Sequence, residues 1–111
     1  MNWNLLEDVN KLEKLVNVSE SKAVLIFKHS TRCGISRFAL NNFERSFDIS
    51  EDKLTPFYLD LLKFREISNE IANTFDVQHQ SPQVIVLKNK EVVYSESHSY
   101  ISIEDIKKAI S

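Results

Sequence analysis

The chain holds a single cysteine and a single glycine, and they are adjacent, in Lys28-His29-Ser30-Thr31-Arg32-Cys33-Gly34-Ile35-Ser36. A thiol attacks as its thiolate, so what matters is whether the neighbours favour the anion. Cys33 stands where a helical period begins, and the unpaired N–H groups and dipole of a helix start attract negative charge. Arg32 places a positive charge next to it. Ser36 follows one turn later on the same side, where its hydroxyl can donate to the sulfur. Gly34 removes a side chain beside the sulfur and leaves a partner's sulfur room to approach in line. The setting is that of an activated, accessible thiol rather than of the inert core cysteine that a lone thiol more commonly is. With no second cysteine there is no internal disulfide, and disulfide chemistry has to be intermolecular.

A second candidate stretch is Gln80-Ser81-Pro82-Gln83, just before an apolar run. Proline cannot pair within a central ladder, so Pro82 marks the start of a strand. Its peptide is of the one kind that adopts cis readily, and the residues alone leave cis and trans open. Lys28, flanked by apolar residues, either orients the loop before Cys33 or snorkels at a strand end. His29, His79 and His98 are far apart and lack zinc-site spacing, so no metal site is expected, and the three histidines read as structural or surface residues.

The elements that would position these residues follow from periodicity. Leu5, Val9, Leu12 and Val16 mark an amphipathic helix, and Ala23-Val24-Leu25-Ile26-Phe27 a strand covered on both faces that runs out at Lys28. Cys33, Ser36, Leu40, Phe43 and Phe47 form one stripe of a second helix. A strand carries Phe57, Tyr58 and Leu59, with Pro56 near its start. A third helix carries Phe64, Ile67, Ile71 and Phe75. Val84–Leu87 and Val92–Tyr94 form a hairpin around Asn89, and Ser102 with Asp105 opens a last helix with Ile103, Ile106 and Ile110 on one face. Strands alternating with helices and closing in a hairpin predict an α/β fold with a mixed four-stranded sheet, helices on both faces, and the thiol at the carboxyl end of a strand.

Length and charge narrow the possibilities. A chain of 111 residues with 42% hydrophobic residues supports one core, hence a single domain over 1–111. With 14 Lys and Arg against 16 Asp and Glu the net charge is -2, which gives no reason to expect a nucleic-acid or anionic-membrane partner. The N-terminal residues lack a basic region followed by an apolar run, and no stretch approaches the ~20 apolar residues of a membrane span. A cytoplasmic monomer is expected, the lone thiol suiting a reducing compartment.

The chain resembles the thioredoxin superfamily and, within it, the YtxJ family of monothiol bacilliredoxin-like proteins. The resemblance rests on Phe27-Lys28-His29-Ser30-Thr31 before Cys33, on Ile35-Ser36 after it, on Ser81-Pro82-Gln83, and on His98 ahead of an Ile-rich final helix. Two positions depart from the family pattern: Gly34 stands where proline is frequent, and Arg32 precedes the cysteine.

The resemblance implies a thioredoxin-like fold and a monothiol oxidoreductase with no bound cofactor. Cys33 would attack mixed disulfides between client proteins and bacillithiol, or another low-molecular-weight thiol acting as co-substrate. It also implies a cis Pro82 with the backbone beside Ser81 pairing with the bound partner, and Ser36 in the place of a resolving cysteine. Cys33, Ser36 and Pro82 are the catalytic candidates; Lys28, Thr31, Arg32, Gly34, Ile35 and Ser81 are the candidates for substrate contact. Cys33-Gly34-Ile35-Ser36 is also similar to the Cys-Gly-Phe-Ser of monothiol glutaredoxins, which implies iron-sulfur cluster binding as one alternative, although the Gly-Gly pair that holds glutathione there is missing. A non-enzymatic thioredoxin-like adaptor is the other, since fold alone does not dictate function.

Overall fold

The computed structural model describes residues 1–111. In chain order the elements are β1 (Asn4–Leu5), α1 (Asn10–Val18), β2 (Ala23–His29), α2 (Gly34–Ser46), β3 (Leu54–Asp60), α3 (Arg65–Phe75), β4 (Gln83–Lys88), β5 (Glu91–Ser97), a 3-10 turn (His98–Tyr100) and α4 (Ile103–Ile110). The strands form one mixed sheet in the order β1-β3-β2-β4-β5. β1 and β2 run parallel to β3, while β4 is antiparallel to both β2 and β5. No helix is long and apolar enough to cross a membrane.

β2 is central because every one of its seven residues is buried. Its side chains alternate between two cores, as the pleat requires. Val24 and Ile26 join Leu12 and Leu15 of α1 and Ile67 and Ile71 of α3 on one face. Ala23, Leu25 and Phe27 join Phe43 of α2 and Ile106 of α4 on the other. Phe27 meets Phe43 edge-on at 5.2 Å between ring centroids, and Trp3 closes the cluster by stacking on Phe43 at 6.2 Å. Continued to the end of β2, the alternation turns Lys28 toward α3 and His29 toward α2.

The structure corrects the sequence reading in three places. The sheet has five strands, not four, since Asn4 and Leu5 pair with Phe57 and Tyr58 of β3. Leu5 therefore belongs to a strand, half exposed, and Val9 only precedes α1, whose buried residues are Leu12 and Leu15. β2 also runs two residues past Phe27, taking in Lys28 and His29. Pro56 is the third residue of β3, and its carbonyl accepts from Asn4 Nδ2 (3.1 Å), which turns its donor-less nitrogen toward the short β1 rather than toward β2.

The remaining ends follow local chemistry. Asn89 and Lys90 both have positive φ (53° and 67°), as a two-residue hairpin turn matching strand twist requires. Their N–H groups donate to the carbonyl (2.7 Å) and hydroxyl (2.9 Å) of buried Ser19, which anchors the turn to the end of α1. Ser102 Oγ caps α4 by accepting from Asp105 N at 3.2 Å.

Candidate active site

A strand buried on both faces has to surface before a helix can start, and between β2 and α2 the chain does so over Ser30–Arg32. Cys33 takes the N-cap position of α2 in extended conformation (φ -106°, ψ 121°), and no side chain caps the helix there. Its N–H donates to Ser30 O (3.1 Å) and its carbonyl receives Arg37 N (3.0 Å), so the residue is fixed by the turn behind it and the helix ahead. Arg37 reaches back to donate to Thr31 O at 2.9 Å. The thiol is partly exposed, and Arg32, Gly34 and Ile35 around it are exposed.

Ser36 is fully buried, one turn into α2, but its hydroxyl is not turned to the sulfur as the spacing suggested. It is engaged by His29 Nδ1 (2.8 Å) and by the N–H of Ser30 (3.0 Å). Oγ accepts from the Ser30 N–H and keeps a proton and a second lone pair with which to bond to the ring nitrogen. Burial first, with Arg37 adding to it, holds the His29 pKa below the usual value against the opposing carboxylates of Asp60 and Glu44. Neutral His29 thus ties the end of β2 to the first turn of α2 and sets the loop that presents Cys33.

Lys28 is also corrected. It is 0% exposed, so it neither snorkels nor is presented to a ligand. Its Nζ donates to Ser68 O of α3 and to His79 Nδ1, each at 3.3 Å.

Pro82 is buried and follows a cis peptide bond. Lys28 pairs with Gln83 across β2 and β4, so Pro82 stands at the same end of the sheet as His29 and the Cys33 loop. Its carbonyl accepts from His98 N (3.0 Å), while Ser81 makes no backbone hydrogen bond and its buried hydroxyl has no partner. Ile35, 68% exposed, heads a cavity of about 490 Å³ that runs between α2 and the start of α4 past Phe38, Phe43, Ile101 and Ile103. Thr31 and Arg32 border another of about 440 Å³ with Asp60, Leu62 and Lys63.

Gly34 is not demanded by the backbone: its φ is not positive, and a Cβ built there meets nothing within 4 Å. What the glycine leaves is open space beside the thiol. It is the first residue of α2, where proline is well accommodated, and the φ and ψ of Cys33 are those a residue before proline prefers. Gly34→Pro is therefore expected to stabilise the fold by about 0.4–1 kcal/mol through the unfolded chain. Thermal unfolding checks it, and a fall in the midpoint would show that the loop before α2 depends on the glycine after all.

Sequence reasoning passed over His29 as a tie between elements. The signal was present in β2, where residues 23, 25 and 27 alternate onto the α2 face and residue 29 comes next.

The family model of the monothiol bacilliredoxin BrxC matches residues 4–106. Among solved structures the chain is similar to a thioredoxin-fold protein described as a candidate oxidoreductase, with 28% identity over 96% of this chain and 92% of that one and a TM-score of 0.77. It is similar in fold to the long form of spinach chloroplast thioredoxin f, with 17% identity over 99% of this chain and 88% of that one and a TM-score of 0.76. A Malassezia sympodialis thioredoxin gives 17% identity over 98% and 88%, with a TM-score of 0.74. With the family match spanning the whole sheet and the lone cysteine at the head of α2, the chain belongs to the monothiol bacilliredoxin BrxC family.

Proposed function

We propose that the protein removes bacillithiol from client proteins, as the YtxJ-type resemblance suggests. The Cys33 thiolate attacks the bacillithiol sulfur of a client mixed disulfide. The client–bacillithiol S–S bond breaks, a Cys33–bacillithiol bond forms, and the client leaves as a thiolate that takes a proton from water. A second low-molecular-weight thiol then takes the bacillithiol from Cys33 by the same exchange. The observation that carries this reading is the placement of the only thiol in the chain, partly exposed, at an N-cap that no other side chain fills. The N–H groups of the first turn are where an N-cap oxygen would be held, and a thiolate fits the same place.

The other residues have supporting parts. Gly34 leaves the approach open, and the unpaired backbone of Ser81 offers the bound partner a strand-like pairing, with Thr31, Arg32 and Ile35 around it. Ser36, in the place of a resolving cysteine, keeps the loop in shape through His29. The lone thiol suits the reducing cytoplasm, and a monomer suffices for the cycle.

The test is direct. Reduced protein mixed with a bacillithiol-modified client is expected to gain the mass of one bacillithiol on Cys33 while the client loses it, as followed by intact mass. A client that stays modified while Cys33 stays free would refute the proposal, and transfer from a glutathione-modified client alone would reassign the small thiol.

A further inference from the structure

Lys28 takes no part in the exchange just described, yet it is the only lysine, arginine or carboxylate among the buried residues. An ammonium is costly to take out of water, so the bonds that it makes where it is buried have to offset that cost. None of the ion pairs includes it. The groups around it come from four elements. β3 presents Leu59, its partner in the ladder; β4 presents neutral Gln83, its partner on the other side; α3 presents Ser68; and the chain between α3 and β4 presents His79. The one further charge, Arg65 at the start of α3, bears on His79.

The bonds made there converge on one loop. Lys28 Nζ donates to His79 Nδ1, and Ser68 Oγ lies 3.4 Å from the same nitrogen. Gln83 Nε2 donates to Gln78 O at 3.0 Å. Two neighbouring strands thus hold Gln78 and His79, from which the chain goes on to Ser81 and Pro82. We propose that Lys28 is a positioning residue: its buried ammonium pins His79 and, with Gln83, holds the Gln78–Pro82 loop at the sheet end where Cys33 is presented. The proposal rests on the thiol-exchange reading, since the loop it holds is the one offered there to the partner.

The protonation states fit. Burial lowers the Lys28 pKa to about 8, so at neutral pH the ammonium persists and donates charge-assisted bonds. Burial, then Lys28, then Arg65 lower the His79 pKa, which keeps Nδ1 free to accept.

The test compares the wild type with Lys28→Met, which keeps a long apolar stem and deletes the ammonium. In the variant the His79 pKa, read by NMR, is expected to rise toward the ordinary value of about 6.5. The amide of His98, which donates to Pro82 O at the end of that loop, should exchange with solvent about tenfold faster, as the loss of one charge-assisted bond allows. Exchange of Cys33 with a bacillithiol-modified peptide should slow by about tenfold, while its alkylation by iodoacetamide stays within about twofold. His79→Leu, at the exposed end of the contact, should reproduce the faster amide exchange and the slower thiol exchange without altering the core. An unchanged His79 titration with unchanged amide exchange overturns the clamp. A loosened loop with wild-type thiol exchange overturns its positioning role, and so does equal slowing with the peptide and with iodoacetamide. If the wild type exchanges no thiols, the fault lies in the parent reading, and the titration and amide exchange still decide whether Lys28 holds the loop.

Discussion

Cys33→Ser is expected to abolish transfer of bacillithiol completely and at the same time to raise the stability of the fold. The first effect follows from chemistry: a hydroxyl is not a thiolate, cannot form the S–S bond, and no other sulfur nucleophile of cysteine type exists in the chain. The second follows from the position. Cys33 is the N-cap of α2, and no side chain there accepts from the first-turn amides. Serine is among the best residues for that place, and its oxygen is expected to contribute about 0.5–2 kcal/mol that the thiol forgoes. Intact mass after incubation with a modified client reads the first effect, and urea or thermal unfolding reads the second. A variant that is inactive but less stable than the wild type would mean that Cys33 is held by contacts other than its place at the helix start. The opposite signs express a trade between stability and activity concentrated in one atom.

Ser36→Ala is expected to destabilise the protein by about 2–4 kcal/mol, since a buried group left without its partner costs about 1–3 kcal/mol and a half-buried one losing an ordinary hydrogen bond about 1 kcal/mol. The groups are the imidazole of His29, 4% exposed, and the N–H of Ser30. For a domain of this size the midpoint should fall by roughly 10–20 °C. Because the hydroxyl faces His29 rather than the sulfur, the rate of Cys33 alkylation measured well below the midpoint should change far less than the stability does. A large loss of thiol reactivity in a variant of wild-type stability would place Ser36 back beside the sulfur.

The parts legible in the sequence were those with a local cause. The five apolar residues from Ala23 to Phe27 mark a central strand whatever surrounds them. The spacing of Phe64, Ile67 and Ile71 marks α3, and Asn89 marks the hairpin. The misses came from partners far along the chain. β1 is two residues long, too short for any period to show, and it exists because β3 has a free edge. Lys28 and His29 look like a loop because they are polar; only the face each one meets explains how they stay in a strand, and those faces come from Ser68, His79 and Ser36. The same holds for the site. That Cys33 heads a helix was readable from the stripe that follows it, whereas the direction of the Ser36 hydroxyl depends on which face of β2 carries residue 29.

The pairing of β1 has a consequence for how the chain is made. Asn4 and Leu5 dock on Phe57 and Tyr58, so on a ribosome the strand waits for about fifty further residues before its partner exists, a loop whose closure is entropically costly. Until then Leu6, wholly buried in the finished protein, and the aromatic face of Trp3 are left in water. Residues 1–6 thus wait outside the fold until β3 has been made, and an extension or tag joined there sits on an edge strand, separated by β3 from the strand that leads to the thiol.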